Sequence, residues 1–115
     1  MIYRFLHNMY YANTHVLLQD ITGLIARSQP RLIQLCIDMA AVNDVDFTAA
    51  EALRALHSIC TAKKVRIVFC ELSDSVPKEF ERSGLIDLFG SDAFFPTLDA
   101  VIETYLKKES PLTSN

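Results

Sequence analysis

Cysteine is scarce in this 115-residue chain, and the three present, Cys36, Cys60 and Cys70, sit inside apolar segments. No pair has zinc-ligand spacing, and His7, His15 and His57 do not stand at ligand offsets from them. They read as free thiols packed as small hydrophobes in a reducing compartment. Glycine is as scarce. Gly23, Gly84 and Gly90 form neither a G-x-G-x-x-G turn nor a Walker loop, so no phosphate cradle is encoded. There is no signal peptide, and no apolar run approaches the ~20 residues of a membrane span, because Gln34 and Asp38 interrupt the best one. Lysine and arginine are scattered, with Lys63-Lys64 and Lys107-Lys108 the only adjacent pairs. That argues against a nucleic-acid surface, which needs a clustered basic face, though it leaves room for one weak phosphate site. Internal repeats and low-complexity tracts are absent.

What is present suits a single dense domain. Half of the residues are hydrophobic and the net charge is −3, with a positive mean hydropathy and a pI near 5.5. A chain of this length buries roughly two-thirds of its unfolded surface, enough to fold without metal or disulfide support. Residues 1–108 read as one domain and residues 109–115 as a flexible polar tail. A strand pattern that begins at Ile2 with no leader fits a domain cut from a longer polypeptide, and fits a natural start at Met1 nearly as well.

Period-two alternation marks a strand from Ile2 to His7, and Met9-Tyr10-Tyr11 reads as a second short one. Asn13 or Thr14 can cap a helix to about Arg27, with Leu17, Ile21, Leu24 and Ile25 as its apolar stripe. Arg31 to Met39 is almost continuously apolar, as in a strand buried on both faces. A helix runs from Thr48 to about Ala62, its C-terminal end followed by Lys63 and Lys64. Val65 to Leu72 is another central strand. Pro77 opens a helix that buries Val76 and Phe80, and Gly84 suits a left-handed stop with Leu85 as its hydrophobic contact. Leu88 and Phe89 pack before Gly90, Ala93 to Pro96 forms a last strand, and Thr97 caps a helix to about Lys108. This alternation predicts an α/β fold, a mixed, mostly parallel central sheet of about five strands with about four helices, in the order β-β-α-β-α-β-α-β-α.

In an open α/β sheet, ligands and partners meet the carboxyl edge of the strands. The loops after Asp38 and Leu72 emerge there, so Asp38, Asn43, Asp44, Asp46 and Thr48 are expected near Ser73, Asp74 and Ser75. Thr48 has two readings. Thr48 and Glu51 have capping-box spacing, which stabilises a helix by about 1 kcal/mol. The hydroxyl is also a candidate phosphorylation site at a helix mouth, beside Asp44 and Asp46, which would repel the phosphate. An enzyme is not indicated. No histidine is placed to act as a base for Thr48 or the Ser73–Ser75 loop, and His57 lies more than two turns into its helix. The acids resemble a phosphotransfer pocket only superficially: a receiver domain needs an acidic pair after its first strand and a lysine after its last.

The motif at the centre, Ile37-Asp38, Val42, Val45 to Thr48 and Leu53, together with Phe80 to Leu85, resembles a STAS domain. That fold is shared by bacterial anti-sigma-factor antagonists and the cytoplasmic tails of SulP-type anion transporters. Tyr10-Tyr11-Ala12-Asn13, preceded by Met9, is similar to the aromatic-aromatic-Ala-Asn entry to the first helix in the transporter branch, and Ala93 to Thr97 to a strand-to-helix passage near its end. The Gly-Pro often found before the aromatic pair is replaced by His7-Asn8. The family's Asp-x-Ser/Thr-Gly becomes Asp46-Phe47-Thr48-Ala49, and Ala49 in place of glycine counts against kinase docking.

The resemblance implies a non-catalytic regulatory and protein-interaction domain of a SulP-family anion (sulfate-type) transporter, at the cytoplasmic face of the plasma membrane. It implies the transporter's transmembrane domain as partner, other cytoplasmic proteins as further partners, and homo-oligomers through the parent transporter. The composition and the residue spacing argue against nucleic acid and metal, and the resemblance suggests no cofactor beyond weak nucleotide binding at the carboxyl edge. The alternative is a free-standing anti-sigma-factor antagonist regulated by phosphorylation at Thr48. Which anion the parent carries is not encoded in this stretch.

Overall fold

The computed structural model describes residues 1–109 except His7, Pro30, Phe47 and Asp74, with backbone only for Tyr11, Ala12 and residues 107–109. The tail expected at 109–115 lies, from residue 110 on, outside the described residues. Four strands form the sheet: β1 (Ile2–Arg4), β2 (Gln34–Asp38), β3 (Arg66–Cys70) and β4 (Phe94–Phe95). They pair in that order and all in parallel, with Ile2 opposite Cys36, Gln34 opposite Arg66 and Phe69 opposite Phe94. Five helices accompany them: α1 (Tyr11–Arg27), α2 (Ala49–Ala62), α3 (Val76–Arg82), α4 (Leu85–Phe89) and α5 (Leu98–Glu109), with a 3₁₀ turn at Ser91–Ala93.

Because the strands pair in chain order, right-handed crossovers place every connecting helix on one face. On that face Leu35, Ile37, Ile67 and Phe69 pack against Leu17 and Ile21 of α1, Leu53 and Leu56 of α2, Phe80 of α3 and Leu85 of α4. Phe69 is the hub. Its ring stacks on Phe94 at 5.1 Å and 9°, and meets Phe80 and Phe89 edge-on at 5.5 and 4.9 Å. The opposite face is smaller: Cys36, Val68 and Cys70 are covered by Ala93 and by Val101 of α5. Strand β2 is buried on both faces, as its almost continuous apolar run predicts. All three cysteines are free and buried. Burial pushes the Cys60 thiol up to about 11 and those of Cys36 and Cys70 upward as well.

The sheet differs from expectation in three respects. Met9-Tyr10-Tyr11 is not a strand. Met9 makes a single parallel bridge to Val45, Tyr10 is the extended residue before α1, and Tyr11 is already helical. One aromatic pair cannot serve a ladder and a helix start together, and the backbone N–H groups of Asn13 and Thr14 both turn back to the Tyr10 carbonyl. Asn13 and Thr14 therefore lie inside the first turn rather than capping it. The sheet has four parallel strands instead of about five mixed ones for the same reason. Five helices replace about four, because Gly84 separates two. At φ +76° Gly84 stops α3, and α4 begins at Leu85, with Leu88 N–H on the Gly84 carbonyl at 3.1 Å.

Gly84 has open space where a Cβ would stand, its nearest neighbour being Arg54 Nη2 at 3.9 Å. The cost of a side chain there is conformational alone. Gly84→Ala is expected to lower unfolding free energy by about 1–2 kcal/mol in denaturant titration. No loss would contradict the left-handed stop.

Candidate functional site

β2 and β3 end side by side at the carboxyl edge, where the chain leaves β2 for the loop 39–48 with Met39 N–H on the Cys70 carbonyl at 2.9 Å. Asp38, the last residue of β2, is 1% exposed. A buried carboxylate must be paired or neutralised. Its Oδ2 accepts from Arg4 Nε at 3.0 Å, and its Oδ1 accepts from Ala40 N–H at 2.9 Å. Asp38 thus ties β1 to β2 and fixes the first turn of the loop. It belongs to the scaffold and does not join the exposed residues.

The rest of the loop is held from outside by residues 8–10. The Asn8 side-chain Oδ1 accepts the backbone N–H groups of Asn43 at 2.9 Å and Asp44 at 3.2 Å. The Asn8 carbonyl accepts from Asn13 Nδ2 at 2.9 Å, which anchors it to α1. Met9 N–H donates to the Asp44 carbonyl and Asp46 N–H to the Met9 carbonyl, both at 2.9 Å. The Tyr10 hydroxyl donates to Asp44 Oδ2 at 2.9 Å. That hydrogen bond, the largest cause, raises the Tyr10 phenol above its ordinary value. Asn8 was not legible as a site residue, since its partners are 35 and 36 positions away in sequence. The Tyr10-Tyr11-Ala12-Asn13 motif also spans two roles: Tyr10 and Asn13 bind this loop system, while Tyr11 and Ala12 start α1.

The Thr48 side chain does not cap α2. Its hydroxyl donates to Asp46 Oδ1, and the same carboxylate oxygen accepts Ala49 N–H at 3.1 Å. Ala49 N–H also meets the Asp46 carbonyl at 3.1 Å. A capping side chain accepts an N–H of the first turn, and here that side chain is Asp46, while Thr48 stands just before α2, with φ −70° and ψ −23°, and makes no side-chain cap bond. Thr48-x-x-Glu51 carries the spacing of a capping box without its hydrogen bonds. The sequence places the helix start within one residue, at Thr48 against Ala49, and misassigns only the side chain that caps it.

The second loop contributes less. Ser73 Oγ donates to the Val42 carbonyl at 3.4 Å, which brings the two loops together, and the Ser73 carbonyl accepts Val76 N–H at 3.1 Å. Ser75 is exposed before α3. Asp74 lies outside the described residues. Glu71, at φ +62°, turns away, and its Oε2 accepts Leu98 N–H at 2.8 Å. It caps α5 together with Thr97, whose Oγ1 accepts Ala100 N–H at 3.1 Å.

The site is therefore a tied-down acidic ledge. Asn43, Asp44, Ser75 and Tyr10 are exposed, Asp46, Thr48 and Ser73 are half-buried, and Leu6, 67% exposed, precedes the strap. His57 is remote, its ring edge-on to Phe89 at 5.1 Å. Among the described residues no group of three or more His, Cys, Asp or Glu side chains could hold a metal ion, and no buried side-chain N or O lacks a partner. No helix among the described residues is long and apolar enough to cross a membrane. A nucleotide phosphate meeting this ledge would face Asp44 and Asp46.

Residues 1–101 match the sequence model of the STAS domain family. No curated protein matches. The fold is similar to several solved structures. The SulP transporter STAS domain from Vibrio cholerae superposes with a TM-score of 0.76 at 13% identity, over 93% of this chain and 80% of that one. A sulfate transporter family protein from Wolinella succinogenes gives 0.77 at 19%, over 95% and 87%. Murine Solute Carrier 26 family member A9, an anion transporter in the inward-facing state, gives 0.77 at 22%, and there 91% of this chain corresponds to 17% of the other.

If Asp46 is the cap, Asp46→Ala should cost about 1–2 kcal/mol and Thr48→Ala about 0.5–1 kcal/mol, read by urea unfolding. The reverse order would restore Thr48 as the cap.

Proposed function

The chain belongs to the STAS family, and from that premise we propose that it is the regulatory, protein-interaction STAS domain of a SulP-family anion transporter. In this reading it faces the cytoplasm, packs against the transmembrane domain of the parent transporter, and does no catalysis. The parent brings copies of the domain together in a homo-oligomer. Its ledge of Asn43, Asp44, Asp46, Thr48, Ser73 and Ser75 is the surface that meets partners. The observation that carries the reading is the tethering of that ledge. Asn8, Met9 and Tyr10 hold the Asn43–Asp46 backbone in one shape while Asn43 and Asp44 remain exposed. A surface that is ordered before binding loses less entropy on association. The folds it is similar to point the same way, since they include a SulP transporter STAS domain, a sulfate transporter family protein and an anion transporter.

The alternative, an anti-sigma-factor antagonist switched at Thr48, is less well supported. The Thr48 hydroxyl already donates to Asp46. A phosphate there would add nearly two negative charges against that carboxylate and would compete with it for Ala49 N–H.

The test is anion uptake by the full-length polypeptide that contains this chain. Deleting the domain, or the double change Asn43→Ala with Asp44→Lys, is expected to reduce uptake by several-fold at unchanged membrane level. The excised variant should melt within a few degrees of wild type, because both side chains are exposed and the change removes only the exposed Tyr10–Asp44 hydrogen bond. A reading frame with no membrane-spanning region beside this domain would contradict the transporter assignment. Phosphate incorporation lost specifically in Thr48→Ala would favour the antagonist.

A further inference from the structure

Cations that look scattered in the sequence are gathered by the topology. α1 and α2 each run back along the sheet and end at its amino edge, where β2 and β3 begin. Arg27 ends α1, Arg31 lies on the connection to β2, Lys63 and Lys64 follow α2, and Arg66 opens β3. All five are exposed. The two connections touch, with Arg31 Nη2 donating to the Lys64 carbonyl at 3.3 Å. Arg66 pairs with Asp92 at 3.5 Å. Among the described residues, no acid pairs with Arg27, Arg31, Lys63 or Lys64. The acids Asp44, Asp46 and Glu71 lie at the other edge. A chain of net charge −3 thus carries a basic end.

The same end is apolar between its charges. An open cavity of about 400 Å³ lies between the ends of α1 and α2, lined by Ile25, Ala26, Leu32 and Ile59 with Thr22, Arg31 and Lys63. Ile33, next along the chain, is 57% exposed. Aliphatic surface flanked by Arg31 and Lys63, with Arg27 and Lys64 next to them at the same end of the sheet, is complementary to an amphiphile with an anionic head. Four such cations across two connections suit a sheet of heads better than one molecule. Nucleic-acid surfaces interleave cations with aromatic rings for base stacking, whereas the cavity beside these cations is lined by aliphatic side chains and Thr22, with no aromatic ring.

We propose that the amino edge docks on an anionic phospholipid leaflet, with Arg27, Arg31, Lys63 and Lys64 on the headgroups and Ile33 with the Ile25–Leu32–Ile59 cavity toward the acyl region. This goes beyond the transporter reading and stands apart from it, because an excised domain would bind as well. Docked this way, the acidic ledge points away from the membrane.

The test is co-sedimentation of the 115-residue chain with two kinds of vesicle, phosphatidylcholine alone and phosphatidylcholine with about a third phosphatidylserine. Binding is expected to the second kind only, and to fall steeply on raising salt, as exposed charges are screened. Each cation near an anionic leaflet contributes about fivefold in partition. The variant Arg31→Gln/Lys63→Gln/Lys64→Gln should therefore bind on the order of 100-fold more weakly. Ile33→Ser should weaken binding without changing its salt dependence. If the triple variant melts early, Lys63→Gln/Lys64→Gln carries the test, with a fall of about 25-fold. Equal binding to neutral vesicles, or wild-type binding by a folded variant, would overturn the proposal. So would retention on an acidic protein or a nucleic acid with both vesicles left unbound.

Discussion

The backbone between β2 and α2 has no ladder of its own, yet its N–H groups need acceptors. One side chain meets much of that need. Asn8 Oδ1 takes two consecutive amides, Asn43 and Asp44, and the Asn8 carbonyl is tied through Asn13 to the first turn of α1. Met9 and Tyr10 extend the grip by a parallel bridge and a phenol on Asp44. Without this strap the loop would be an exposed acidic segment free to sample many shapes. With it, the loop is a fixed ledge, and the start of α2 is placed by it, since Asp46 both bonds to Met9 and caps Ala49.

Asp38 supports the same junction from below. Its carboxylate is nearly inaccessible, and it is held by Arg4 and Ala40. The Arg4 side chain is 59% exposed, so the pair sits at the surface end of a buried charge. Removing Arg4 would leave that charge uncompensated, which costs more than the pair itself contributes. The two acids of the motif thus have opposite duties: Asp38 fastens the sheet, and Asp46 starts the helix.

Much of the fold was legible in the sequence. The continuous apolar runs of β2 and β3, the Gly84 stop, the Thr97 cap and the alternation of strand and helix follow from local rules that tertiary structure did not overrule. The misread segments have a common cause. Met9-Tyr10-Tyr11 has strand propensity, but its partners are one residue of a distant loop and a helix that starts early. Thr48 has the spacing of a cap, but the strap pulls Asp46 into that position. Nothing in the sequence marked Asn8 for its role in the strap, because a side chain bonding to an amide 35 positions away leaves no periodicity. The carboxyl edge could be located from topology, while which side chains it exposes could not. The basic end was hidden for the same reason, since cations far apart in sequence meet only through the crossovers.

The central claim is that the partner-facing ledge is ordered before any partner arrives, and that Asn8 orders it. Native-state amide hydrogen exchange measures this directly, because it reports local opening residue by residue. The Asn43 and Asp44 amides should exchange far more slowly than unstructured ones. In Asn8→Ala they should lose that protection while the Ile67 to Cys70 amides of β3 keep theirs. Unprotected Asn43 and Asp44 amides in the wild type, or equal protection in Asn8→Ala, would contradict the account.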